Sequence, residues 1–119
     1  MPVESKEALD EVIDAWHHPR MQEALRPLIT AELIAEHERQ PFGQHSDALQ
    51  RVLNYLGSFP IEGKLIVEHD GEEDWYVSRL LGTNPMRAER LAGPFDAEGV
   101  ATNAVFRLRL AEIFAIPAN

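Results

Sequence analysis

Cysteine is missing from this chain altogether, which removes disulfides, thiolate metal sites and a cysteine nucleophile at once. Lysine is nearly missing too, with only Lys6 and Lys64 present. Twenty Asp and Glu stand against eleven Lys and Arg, a net charge of −9. Such a surface repels phosphate backbones and anionic lipid, so nucleic acid and membrane are excluded as expected partners. No apolar run approaches the roughly 20 residues needed to span a bilayer. The first thirty residues show no basic stretch followed by an apolar one, but four acids (Glu7, Asp10, Glu11, Asp14) on an amphipathic segment. The expectation is a soluble, cytoplasmic protein.

At 119 residues the chain predicts a single domain, divided into a helical N-terminal extension over 1–43 and a core over 44–116. Ser5 is a helix cap ahead of Leu9, Val12, Ile13 and Trp16, which share one helical face. Pro19 and Pro27 interrupt, with a short helix between them from Met21 to Leu25. Thr30 caps a helix that stops at Gln40-Pro41-Phe42-Gly43. Ser46 caps the next, with Leu49, Val52, Leu53 and Leu56 as its apolar stripe and Gly57 as a left-handed end. The period then changes from 3.6 to 2. Lys64–His69 and Trp75–Leu81 read as a hairpin around Asp70-Gly71, and Met86–Ala92 as a third strand before a break at Gly93-Pro94-Phe95.

Asp96 is expected to cap a helix from about Ala97 to Phe114, and this helix is apolar on two sides. Val100, Ala101, Ala104, Val105 and Leu108 form one stripe, and Phe106, Leu110, Ile113 and Phe114 form another. A three-stranded sheet covers only one of them. The other must meet the N-terminal helices or another chain. The fold class is α+β: N-terminal helices, a small antiparallel three-stranded β-meander, and a C-terminal helix packed on it.

Five histidines are the first candidates for chemistry. His17 and His18 are neighbours whose side chains diverge on a helix. Glu36-His37-Glu38 resembles part of a zinc-protease motif, but Pro41 stands where its second histidine is required. His45 next to Ser46 reads as a cap, although a site built from His45 and His69 stays open. Five acids between Glu68 and Asp74 lack the ladder of a calcium loop and read as a hairpin tip. No nucleophile elbow and no glycine-rich phosphate loop is present. The residues therefore point to no catalytic, cofactor-binding or metal site. A helix, three strands and a helix follow the order of a double-stranded RNA-binding domain, but Asp96-Ala97-Glu98-Gly99 stands where that domain needs lysines.

The blocks His45-Ser46-x-x-Leu49-x-Arg51-Val52-Leu53-Asn54-Tyr55-Leu56, Pro60-x-x-Gly63-Lys64, Trp75, Leu81-Gly82, Phe95 and Ala104-Val105-Phe106-x-x-Arg109 carry a resemblance over about residues 40–114. Together they resemble the small, alpha subunit of N,N-dimethylformamidase and its relatives. After Gly82 the chain reads Thr83-Asn84-Pro85 in place of that family's more basic, glycine-containing loop. The resemblance implies a non-catalytic subunit that packs on a larger catalytic subunit in a hetero-oligomer. That large subunit would hold a mononuclear iron through tyrosines and a glutamate and hydrolyse small linear amides. The expected partner interface is Phe106, Leu110, Ile113 and Phe114, with Trp75 and Trp16 as aromatic anchors. The alternative is a free-standing homodimeric ligand-binding or interaction domain, with the same stripe pairing across a two-fold axis.

Overall fold

The computed structural model describes residues 19–59, 63–71, 74–83 and 86–117. The expected helix around Leu9–Trp16, and Trp16 with it, lies outside them. Residues 19–25 are helical and tighten into a 3₁₀ turn at Arg26–Leu28, where Pro27 fits without a free N–H. Helix α1 (Ala31–Arg39) starts at Thr30, whose hydroxyl accepts from the Leu33 amide at 3.2 Å. Helix α2 (Asp47–Gly57) starts at Ser46, whose Oγ accepts from the Leu49 amide at 3.3 Å. Both caps stand where the sequence places them. Gly57 does not end α2 in a left-handed turn: Ser58 caps it with φ −82°, and its hydroxyl donates to the Tyr55 carbonyl at 2.6 Å.

Strands β1 (Leu65–Asp70), β2 (Asp74–Thr83) and β3 (Met86–Phe95) form an antiparallel meander in that order. The β1–β2 register is regular, with Val67 opposite Val77. The β2–β3 register slips three times. Leu81 and Leu91 are extra residues at two of these slips, and Gly93-Pro94 takes up the third. The expected break at Gly93 is therefore a correction. The strand runs through it to pair Phe95 with Trp75, because an edge strand tolerates proline and a bulge absorbs the surplus. Gly93 is required there. Its φ is +120°, and a Cβ would fall 2.7 Å from the Trp75 carbonyl oxygen.

Helix α3 (Glu98–Phe114) lies between the sheet and the other helices. Its N-cap is Ala97 rather than Asp96, and no side chain caps it. One side packs Val105, with Ala104 and Leu108, on Leu65 and Val77 of the sheet. The other side sinks Phe106, Leu110 and Phe114 among Leu25, Leu33, Leu49, Val52 and Leu56. Burial of each such side chain stabilises by about 2 kcal/mol. Arg26 ties the N-terminal segment to this helix, donating to the Phe114 carbonyl at 2.7 Å. Both apolar stripes thus find cover inside one chain, apart from Val100 on the first turn.

Candidate interaction site

The expected interface residues must be reassigned. Phe106, Leu110 and Phe114 are 2, 1 and 0 % exposed, so they belong to the protein's own core and offer no surface to a partner. Ile113 is half-buried at the edge of the same cluster. Trp75 is half-buried on β2 and stacks on His69 of β1, with ring centroids 4.0 Å apart. Of the two alternatives for the second stripe, the N-terminal helices cover it, because α1, α2 and the 19–28 segment fold back onto it.

Exposed apolar surface lies elsewhere. Val100 on the first turn of α3 is 54 % exposed, and Phe42 in the loop after α1 is 51 % exposed. Gly99 lets the loop pack closely on the helix: a Cβ there would stand 3.2 Å from Pro41 Cγ and 3.8 Å from the Phe42 ring, so Pro41 would have to give by a few tenths of an ångström. Between loop and helix lies an open groove of about 500 Å³, walled by Pro41, Gly99, Val100 and Asn103. A second groove shares Val100 and Asn103 and runs on along α3 past Phe95 and Leu108 to β3. Exposed acids (Glu38, Asp96, Glu98) rim the surface. The cation beside them, Arg107, is already paired with Glu38 at 3.7 Å. The surface is apolar in the middle and negative at the rim.

Val100 belongs to a stripe that the sequence assigns to the sheet as a whole. Periodicity gives the direction of a side chain but not how far along the helix the sheet extends. The first turn overhangs. Phe42 carries only a stop signal in sequence, and nothing local marks it as a surface anchor.

Beneath the groove is a polar cluster that sequence reasoning treats as separate histidines. His37 is buried on α1, and its ring lies 4.2 Å from that of Phe106, nearly parallel. Asn103 of α3 lies 2.9 Å from His37 Nδ1, and its amide N–H donates there while the ring is neutral. His45 stacks on the other side at 6.0 Å and donates from Nε2 to the Gln40 carbonyl at 2.8 Å. Burial first, and then the charge His45 can carry, push His37 down to about 4, with Glu36 opposing them. Glu36 is held below the usual carboxylate range by the Ser46 hydroxyl and amide, both at 2.7 Å. These contacts lock the end of α1 to the start of α2, and α1 to α3.

His45 therefore neighbours His37, while His69 pairs with Trp75 on the sheet, so the structure does not build the His45–His69 site. Among the described residues no three His, Cys, Asp or Glu side chains converge to hold a metal ion. No helix among them is long and apolar enough to cross a membrane.

Two comparisons bear on the chain. The family model described as N,N-dimethylformamidase alpha subunit matches residues 11–117. No curated protein matches.

Proposed function

The chain belongs to the N,N-dimethylformamidase alpha-subunit family, and on that premise we propose that it is the non-catalytic small subunit of a hetero-oligomeric amide hydrolase. Its role is to stabilise a larger catalytic chain, which it meets through the surface around Phe42 and Val100. The observation that carries the docking site is two large apolar side chains, each half exposed: Val100 on the first turn of α3, and Phe42 in the loop that packs against Gly99 next to it. The acidic rim selects a partner segment with aliphatic or aromatic centre and basic flanks.

The iron and the hydrolytic step belong to the larger chain in this reading. Among the described residues no three His, Cys, Asp or Glu side chains converge, and this reading assigns none of them to a metal. No catalytic step is assigned to residues of this chain.

Tagged chain purified from its native cells provides the test, with mass spectrometry, metal analysis and an N,N-dimethylformamide hydrolysis assay. The expected result is one larger chain in fixed stoichiometry, carrying the metal, with hydrolysis by the complex and none by the small chain alone. Hydrolysis by the isolated chain would overturn the non-catalytic role. A homodimer with no second polypeptide would overturn the subunit role and favour the free-standing alternative.

A further inference from the structure

A pocket of about 160 Å³ opens between the end of α2, the Gly63–Leu65 stretch and the last turns of α3. Leu56, Phe59 and Ile113 give it an apolar floor, and its charged groups are Lys64, Arg109 and Glu112. Glu112 is already neutralised by an ion pair with Arg79, which also donates to the Gly63 carbonyl at 2.9 Å. Arg109 has no such neutraliser among the described residues. Its guanidinium donates to the Leu65 carbonyl at 2.8 Å, and none of the ion pairs among the described residues includes it. A guanidinium carries five N–H donors, so most of its hydrogen-bonding capacity is unspent. Burial lowers its pKa, yet an arginine stays charged at any ordinary pH. Lys64, one of two lysines in the chain, stands at the pocket wall with its ammonium 3.3 Å from the Gly57 carbonyl.

Two cations with spare donors face one small cavity in a molecule of charge −9. The arginine fork matches the two oxygens of a carboxylate. A carbon-lined floor disfavours phosphate or sulfate, whose remaining oxygens would lose water without replacement. The volume equals that of about five waters at liquid density, so the ligand has about half a dozen heavy atoms. We propose that this pocket binds a short-chain aliphatic monocarboxylate, with its carboxylate on Arg109 and Lys64 and its tail against Leu56, Phe59 and Ile113. Position favours a free small molecule over a partner's side chain. Glu112 lies twelve residues along α3 from Val100, about 18 Å away from the docking surface. The choice of a free ligand rests on that proposed docking surface, whereas the carboxylate site itself does not.

Sodium butyrate is the probe, titrated into ¹⁵N-labelled chain at constant ionic strength, with uncharged butyramide as its isostere. Butyrate is expected to give saturable shifts at amides near 56–65 and 109–113, with millimolar affinity suited to so few atoms. Butyramide should give none. Lys64→Gln should weaken binding about fivefold, as befits a partly exposed charge, and Arg109→Gln by at least about tenfold. Should Arg109→Gln fail to fold, Lys64→Glu takes its place, since it reverses the charge at an exposed position and should abolish saturation. Equal responses to the two ligands, shifts that never saturate, or unchanged affinity in Lys64→Glu would each overturn the proposal. So would closure of the pocket to butyrate in a purified complex with a larger chain, which would assign it to a carboxylate of that chain.

Discussion

Burial against Phe106 disfavours a charged His37 ring, and the Asn103 amide whose N–H faces Nδ1 would have to turn its oxygen there to serve a protonated one. The folded chain therefore resists a proton that the unfolded chain accepts. An ordinary histidine titrates near 6.5, and His37 is pushed down to about 4 in the fold. Between those values the unfolded state binds the extra proton, so stability is full above pH 6.5 and falls as the pH drops towards 4. The slope contributed by this one residue is at most about 1.4 kcal/mol per pH unit. Urea unfolding at stepped pH from 7.5 to 4.5 checks it. In His37→Gln that share of the slope should vanish, leaving whatever His45 and the carboxylates contribute. An unchanged slope in the variant would show that the ring titrates normally in its place. The sequence shows His37 plainly but not its setting, since Phe106 and Asn103 arrive from a helix more than sixty residues away.

Among the elements, α2 was the most legible, with its Ser46 cap and apolar stripe where the sequence places them, and the ends of α3 were the least. The two stripes of α3 follow from residue spacing, and both find cover except at Val100, where the first turn overhangs the sheet. Its termini depend on backbone geometry that spacing does not encode. Asp96 has the chemistry of a cap, but the chain turns one residue later, at Ala97. At the other end Ala115 takes the left-handed conformation at φ 59°, a position that favours glycine. It is held there because the Ala115 and Ile116 amides both reach the Leu110 carbonyl, while Ile116 packs on the helical core. Ala115→Gly should relieve that strain and raise the stability by about 0.5–1 kcal/mol, after the greater freedom of unfolded glycine is subtracted. A urea midpoint that rises with unchanged denaturant dependence is the expected reading. A fall in the midpoint would mean that the alanine side chain contributes packing worth more than its strain. The third strand shows the same lesson from the sheet side. Gly93-Pro94 has the chemistry of a stop, and it becomes a bulge because β3 is an edge.

For the whole molecule, the α+β class and the order of elements were legible because helix caps and changes of period are local signals. Which apolar face stays in water was not, because that depends on where the N-terminal helices come to rest. They fold onto Phe106, Leu110 and Phe114 and leave Phe42 and Val100 bare. Val100→Gln separates packing from docking. The side chain is already half in solvent, so the fold should change by no more than about 0.5 kcal/mol. Capture of the larger chain should weaken by at least about tenfold if Val100 is a central anchor. Equal capture by the wild type and the variant, measured by surface-immobilised binding, would move the interface elsewhere.

The uneven ladder between β2 and β3 reaches beyond its own hydrogen bonds. Its three slips act like the notches of a key, so the two long strands can close in one alignment and no other. Evolution can lengthen or shorten the hairpin tips freely, but adding or deleting one residue inside the paired stretches, Trp75–Leu80 or Ala88–Ala92, would turn the seam inside out.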